Sequence, residues 1–355
     1  MGLTDGKICR VGIRVDANEK IATGHLVRMI TIAKKLRQKG AYCIFLMAED
    51  CEVNRLIQND FEYIILNSNW QRLDDEIPLL RKLILCEHLD ALIVDSYYAN
   101  VSFLNTLDEI VPVIYMDDQE KEIYDVSMVI HYGIGADSPI YMKRYETSRT
   151  KVLAGMKFCP IREEFSELPN CTMEQRRKRI MITTGGTDPY DLEFKILYEF
   201  LNDDFFDSFA FDVIVGAMSP FLDKLKKIEA EHPTRITVHK NVTNMSYFMK
   251  NNIFAVSASG TTLYELCACG IPTVCFSFAD NQLAGALEFN TRKLMQYSGD
   301  GRIIGCPERT VSIVKNVLGQ ADYLACLESI SKQMEKEVDG YGVERIAQQI
   351  LELCH

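Results

Sequence analysis

"RVDANEKIATGHLVRMITIAKKL" (Arg14–Leu36) is a strand end, then a loop of small residues, then a run with helical period, and the rest of the chain repeats that rhythm. On its N-terminal side "ICRVGIRVD" (8–16) is rich in β-branched residues and reads as a strand, and Gly24 to Lys39 reads as the helix that follows. Beyond it "AYCIFLMA" (41–48), "EYIIL" (62–66), "ALIVD" (91–95) and "VPVIYMDD" (111–118) read as further strands, with a helical Val101 to Ile110 between the last two. Strands alternating with helices predict a parallel sheet covered by helices on both faces.

The alternation lapses in "GMKFCPIREEFSELPNCTMEQRRKR" (155–179), which carries two prolines and a basic run. It then restarts with "RIMITT", a helix from Pro189, "FDVIVG", a helix from Pro220, "RITVH", a helix from Thr243, "IFAVSAS", a helix from Gly260, "PTVCFS" and a helix from Asn281. The expected organisation is a Rossmann-like domain over 1–158, a linker over 159–178, a second Rossmann-like domain over 179–338 and a closing amphipathic helix over 339–355. The fold class is therefore α/β, with two doubly wound domains expected to face a cleft. A length of 355 residues suits two such domains.

Composition narrows the function. Fifty acidic against 39 basic side chains give a net charge of −11, which repels a polyanion and makes nucleic acid an unexpected partner. Runs such as "YCIFLMA" are strand-sized and fall short of the roughly 18 residues of a membrane span, so no membrane insertion is expected. The first twenty residues lack the apolar core of a secretory leader. The twelve cysteines, among them Cys43, Cys86 and Cys275 in apolar segments, read as reduced, buried thiols of a cytoplasmic protein. Cys267 and Cys269 sit two apart on a helix and point to different faces, which argues against a metal site.

In open α/β sheets ligands bind at the carboxyl ends of strands, and every candidate motif lies at such an end. His25, just inside a helix that starts at Gly24, is positioned to take a proton from water near neutral pH; the plainer alternative is a histidine that caps the helix or packs under the loop. Asp16 and Asp95 end strands, where they could hold sugar hydroxyls, orient His25, or cap helices. Asp117 and Asp118 read as capping or loop residues. "TTGGTDPYD" (183–191) joins a strand to a Pro-started helix through Gly185, Gly186 and Thr187, a turn that offers backbone N–H groups to an anion and is otherwise an ordinary strand-to-helix turn. It is neither a Walker loop nor a dinucleotide fingerprint. In "SASGTTLYELCACGIPTVCFSFADNQ" (257–282), Ser259, Gly260, Thr261 and Thr262 make a hydroxyl-rich helix start suited to phosphates, and Glu265 can accept from ribose hydroxyls. Asn281 and Gln282 follow at the end of the next strand.

Taken in order, "GH" with "LVR", "IVDSYY", "MDD", "IREEF", "TTGGTDP", "SGTTLYELCACGIP", "ADNQ" and "DGYGVERIA" resemble the motifs of the UDP-2,4-diacetamido-2,4,6-trideoxy-β-L-altropyranose hydrolases of pseudaminic acid synthesis, over nearly the whole chain. That family is built on the two-domain GT-B architecture and is similar to MurG-type glycosyltransferases. The resemblance implies a metal-independent, cofactor-free and inverting hydrolase of a UDP-sugar. It implies that His25 activates the water and that Gly24 and Arg28, on its loop and helix, bind the substrate. It also places Arg14, Asp16, Asp95 and Tyr97 on the sugar side, the Ser259–Glu265 turn on UDP, and Asn281 and Gln282 beside the sugar or phosphate. The implied partners are the small-molecule UDP-sugar and enzymes of the same pathway. The chain departs from the family pattern at Ala22, usually glycine, and at Ser96, often histidine, which leaves the sugar open. A GT-B transferase acting on an acceptor hydroxyl and a non-catalytic nucleotide-sugar binder are the alternatives.

Overall fold

The computed structural model describes residues 8–18, 21 and 23–354, so that Ala22 lies outside the described residues. The chain divides into two compact units, one made of the residues up to Glu163 together with those from Tyr341, the other of Glu164–Gly340. The closing helix Gly342–Leu353 belongs to the first unit and packs on the helix Gly24–Gln38.

The first unit holds seven parallel strands: β1 (Arg10–Val15), β2 (Tyr42–Met47), β3 (Glu62–Ile65), β4 (Ala91–Asp95), β5 (Val113–Met116), β6 (Met128–His131) and β7 (Lys151–Ala154). Their order is β3-β2-β1-β4-β5-β6-β7. The second holds β8 (Arg177–Thr183), β9 (Ala210–Val215), β10 (Ile236–Lys240), β11 (Asn252–Ala258), β12 (Thr273–Ser277) and β13 (Gln296–Asp300), in the order β10-β9-β8-β11-β12-β13. Both sheets are doubly wound, and in both the strand order reverses beside the first strand, between β1 and β4 and between β8 and β11. Such a switch point opens a crevice at the carboxyl ends of the two strands, because the connections leave toward opposite faces.

The central strands carry apolar residues on both sides. Val11, Ile13, Val15, Leu92, Ile93 and Val94 are fully buried, as parallel strands covered on both faces require. Separate cores lie on either side of the division, one around Leu80, Phe103 and Tyr115, the other around Phe200, Phe211 and Phe276.

Several expected boundaries shift for local reasons. The helix expected from Pro189 begins at Leu192, because the buried carboxylate of Asp188 accepts the N–H groups of Leu192 and Glu193, each at 2.9 Å, and so fixes the first turn after Asp191. Cys43 and Cys275 are buried as expected, but Cys86 is exposed: it is the last residue of the helix Ile77–Cys86, where its side chain lies outside the core. At the return into the first unit Gly342 passes so close to the backbone of Cys159 that a Cβ would lie 2.2 Å from its carbonyl oxygen, which explains a glycine there.

Ile346 lies on the closing helix and is fully buried. Ile346→Ala is expected to cost about 2–5 kcal/mol, the usual range for truncating a buried aliphatic side chain. Hydrogen exchange should show amides of β1 and β2 losing protection while those of β8 and β11 keep theirs.

Candidate active site

Register brings the first group of candidates together. Val15 pairs with Asp95 across β1 and β4, so Asp16 and Asp95 emerge side by side at the switch point. The helix Gly24–Gln38 then presents His25 and Arg28, three residues apart and on one face, to the same place. His25 Nδ1 lies 2.6 Å from Asp95 Oδ1. Arg28 donates from Nε to Asp95 Oδ2 at 2.6 Å and from Nη2 to Oδ1. The same guanidinium reaches Asp118 at 2.7 Å and donates to the Tyr132 hydroxyl at 2.8 Å.

Charge decides the proton positions. Burial alone would push the Asp95 carboxyl up, but Arg28 and His25 outweigh it and hold that carboxyl well below the usual carboxylate range. For Arg28 burial is likewise outweighed, by Asp118 and Asp95, so the guanidinium stays charged. An ionised Asp95 can only accept, so His25 Nδ1–H donates to it and the lone pair of Nε2 is left as the basic site. The 3.0 Å approach of Arg28 Nη2 to His25 Nδ1 follows from two donors sharing one oxygen. His25, Asp95 and Asp118 offer ligand atoms within 4.8 Å of one another, a spacing that could serve a metal. The Arg28 guanidinium already supplies the counter-charge among these carboxylates, so the donor set does not fit a cation in this arrangement.

Tyr97 stands edge-on to His25 with ring centroids 4.4 Å apart, and is 39% exposed. Gly24 is exposed, and a Cβ built on it would meet nothing within 4 Å. A cavity of about 10 Å³ adjoins His25, lined by Asp16, Ile21, Tyr97, Tyr98, Ser96 and Trp70. Arg14 is corrected: with no exposed surface it cannot line a sugar pocket. Its guanidinium donates to Glu76 at 2.6 and 2.7 Å and to Asp16 at 2.6 Å, which makes it a buried brace. Asp16 also accepts the Ala48 N–H at 2.8 Å, so both its oxygens are engaged while its edge still faces the cavity. Asp117 has the loop role expected of it, accepting the N–H groups of Gln119 and Glu120 and the Tyr141 hydroxyl. Asp118 instead joins the Arg28 cluster, and Tyr98, Glu76, Trp70 and Tyr132 also enter the site; Asp118 and Tyr98 lie in the "MDD" and "IVDSYY" stretches, while nothing in the local sequence distinguishes Glu76, Trp70 and Tyr132 from ordinary loop and strand residues.

The second group gathers at the other switch point. Thr183 pairs with Ser257, so the Thr184–Thr187 turn and the Ser259–Thr262 turn leave adjacent strand ends. Gly185 has φ +85°, a conformation natural to glycine. Gly216 packs beneath this turn, since a Cβ on it would lie 2.2 Å from the Gly185 oxygen, a role that no local motif signals. Gly186 and Gly260 are exposed, as is Thr261, while Thr187, Thr262 and Glu265 are half-buried. Ser259 is 2% exposed, and its hydroxyl oxygen has no hydrogen-bond partner beyond the neighbouring Cys275 thiol. Asn281 is exposed at the start of the helix Asp280–Thr291, at the end of β12, and Gln282 turns back, its side-chain oxygen accepting the Phe278 N–H at 2.9 Å.

Glu193 supports the glycine turn from below. Its Oε1 accepts from the Thr184 N–H at 3.1 Å and the Thr184 hydroxyl at 2.8 Å, and it has no exposed surface. Burial, only partly offset by these bonds, pushes its carboxyl up to about 8.

The chain matches no protein-family model. It is 24% identical over 276 residues to an uncharacterised protein of Methanocaldococcus jannaschii, covering 75% of this chain and 55% of that one, so it spans about half the length of that relative. It is 23% identical over 344 residues to the spore coat polysaccharide biosynthesis protein SpsG of Bacillus subtilis, covering 95% of this chain and 96% of the relative. Among solved structures, MurG of Acinetobacter baumannii superposes with a TM-score of 0.67 at 13% identity, over 97% of this chain and 99% of that one. A co-structure of Staphylococcus aureus MnaA with UDP superposes with a TM-score of 0.61 at 13% identity, over 98% of each. The two Rossmann-like sheets are thus of the MurG-like GT-B class of fold.

Glu193→Gln gives a test of the buried acid. Its folded value, about 8, lies above the ordinary 4.5. Between these values the folded chain keeps a proton that the unfolded chain has lost, so this carboxyl makes the protein progressively less stable as pH rises through that window. Glutamine mimics the neutral acid and does not titrate. The Tm of Glu193→Gln relative to wild type should therefore climb from pH 5 to pH 8, and thermal melts across that range would read it.

Proposed function

We propose that the protein is a nucleotide-sugar hydrolase that cleaves the bond between UDP and the anomeric carbon of a 2,4-diacetamido-2,4,6-trideoxy hexose, or a closely related sugar, without metal or cofactor. The observation that carries this reading is His25: a buried imidazole with Nδ1 committed to an ionised carboxylate, next to a cavity of about 10 Å³, roughly what one water needs. The ordered motifs of the whole chain support the substrate class. The likeness to a polysaccharide biosynthesis protein and to a UDP-bound GT-B structure supports a UDP-sugar.

In the proposed reaction the second unit holds the diphosphate. The Gly185–Gly186 turn offers backbone N–H groups, and Ser259 offers a buried hydroxyl whose neighbour in the protein is only the weakly bonding Cys275 thiol. The first unit supplies the base. The water oxygen forms a bond to C1, its proton passes to His25 Nε2, and the C1–O bond breaks with its electron pair leaving on the UDP oxygen. Asp95 keeps the imidazole in the required tautomer and stabilises the imidazolium, and Arg28 keeps Asp95 ionised. Attack opposite the leaving group inverts the anomeric centre. A transferase, in which His25 serves an acceptor hydroxyl, is the second reading, favoured by the likeness to MurG.

Purified protein mixed with candidate UDP-sugars and no acceptor should release UDP and free sugar in equal amounts. UDP release that waits for an acceptor would favour the transferase instead. His25→Gln should lower kcat by about 10² to 10⁴, the usual worth of a general base, with UDP affinity measured by calorimetry unchanged. Near-normal turnover in that folded variant would remove His25 from the role. Asp95→Asn should likewise lower kcat more than it alters KM, because the amide can no longer fix the tautomer.

A further inference from the structure

We infer that Trp70 and Tyr98 select the nucleophile: together they close the cavity beside His25 to the size of one water and so exclude a hydroxyl that carries carbon. The inference rests on His25 being the base of the hydrolytic reaction proposed above. Trp70 lies outside every motif read in the sequence, and Tyr98 is the second of two adjacent tyrosines, of which the first, Tyr97, meets the histidine.

The wall is held on both sides. Trp70 is 8% exposed and stands edge-to-face on Tyr98, with centroids 5.2 Å apart and rings at 84°. The Gln71 amide donates to the Tyr98 hydroxyl at 3.3 Å, and the Tyr98 N–H donates to the Ser96 hydroxyl at 3.2 Å. The loop carrying Trp70 is itself pinned. Leu66 N–H donates to the Met47 carbonyl at 2.8 Å and Ser68 N–H to the Ala48 carbonyl at 3.2 Å, prolonging the pairing of β3 with β2. The Ser68 hydroxyl donates to Glu76 at 2.5 Å, and Glu76 is the carboxylate that Arg14 grips with two nitrogens. Arg14 sits on β1 two residues before Asp16, so one buried ion cluster ties the indole wall to the strand that lines the opposite side of the cavity. The loop carrying Trp70 is thus tied through Ser68 and Glu76 to the buried ion cluster that also holds Asp16, while Tyr98, 40% exposed, is held by the indole and its two hydrogen bonds. The space left beside His25, about 10 Å³, is about what one water needs.

The balance of the two competing reactions makes the inference measurable. With water, C1 gains a hydroxyl and the products are free sugar, UDP and a proton; with methanol, C1 gains a methoxyl and the products are the methyl glycoside, UDP and a proton. The test uses the full-length protein, the UDP-sugar that it turns over and aqueous methanol, with UDP, free sugar and methyl glycoside measured by mass spectrometry. In the wild type the glycoside should fall at least about tenfold below methanol's share of the nucleophiles, since one carbon in a tight pocket is worth about 10- to 200-fold. Tyr98→Ala should raise the ratio of glycoside to free sugar by at least about tenfold. Trp70→Phe, a smaller aromatic, should give an intermediate ratio. An unchanged ratio in both Tyr98→Ala and Trp70→Phe, with UDP still released, overturns the inference and leaves the hydrolytic reading standing. Glycoside formed by the wild type in proportion to methanol overturns it as well. If the wild type releases no UDP from any UDP-sugar, the hydrolytic reading itself falls, and this inference falls with it.

Discussion

One buried carboxylate organises the first unit. Asp95 is 1% exposed, and a charge there is tolerable only because Arg28 and His25 meet it from the neighbouring helix. The arrangement runs in both directions: Asp95 fixes the imidazole tautomer, while Arg28 keeps Asp95 ionised and passes the constraint on to Asp118 and Tyr132, which follow β5 and β6. Three strand ends, those of β4, β5 and β6, are therefore coupled through a single guanidinium. A smaller cluster repeats the device one layer away, where Arg14 joins Asp16 and Glu76.

The second unit solves a different electrostatic problem with related parts. An anion site needs free N–H groups and little negative charge nearby. The two acids beneath the glycine turn meet that need in two ways. Asp188 spends its oxygens on the first turn of the helix Leu192–Leu201, and Glu193, raised by burial, stays protonated through the neutral range while accepting from Thr184. Gly216 has no side chain because the turn lies directly against it. The turn is thus supported from below by one acid whose oxygens are both taken by backbone N–H groups and one held neutral by burial.

Much of the fold could be read from the sequence because parallel strands buried on both faces announce themselves as unbroken apolar runs. "RVGIRV", "ALIVD" and "NIFAVSA" are such runs, and they are the central strands. The strands that escaped are short or polar. β6 and β7 are as short as β3 and β5 but lack the strand-helix alternation around them, since among the described residues no helix joins β5 to β6 and only the five-residue helix Pro139–Lys143 joins β6 to β7. β13, "QYSGD", has almost no apolar content and is recruited by pairing with β12. The helix expected from Pro189 starts three residues later, at Leu192, because the Asp188 carboxylate takes the first N–H groups, a bond that depends on three-dimensional reach.

The sequence by itself determined two doubly wound sheets, the placing of its motifs at strand ends and the presence of one histidine at the start of the first helix, since all of these follow from hydrophobic period and local backbone chemistry. Only tertiary structure decided which polar residues meet. Arg14 and Arg28 are both arginines near the same strand end, yet one is a sealed brace and the other holds the catalytic carboxylate proposed here. Glu76, Asp118, Tyr132 and Trp70 reach the site from 45 to 107 positions beyond His25, brought there by strand order and register. Spacing along the chain encodes the period of an element but not its neighbour across the sheet, and the protonation of Asp95 and Glu193 is set by such neighbours and by burial.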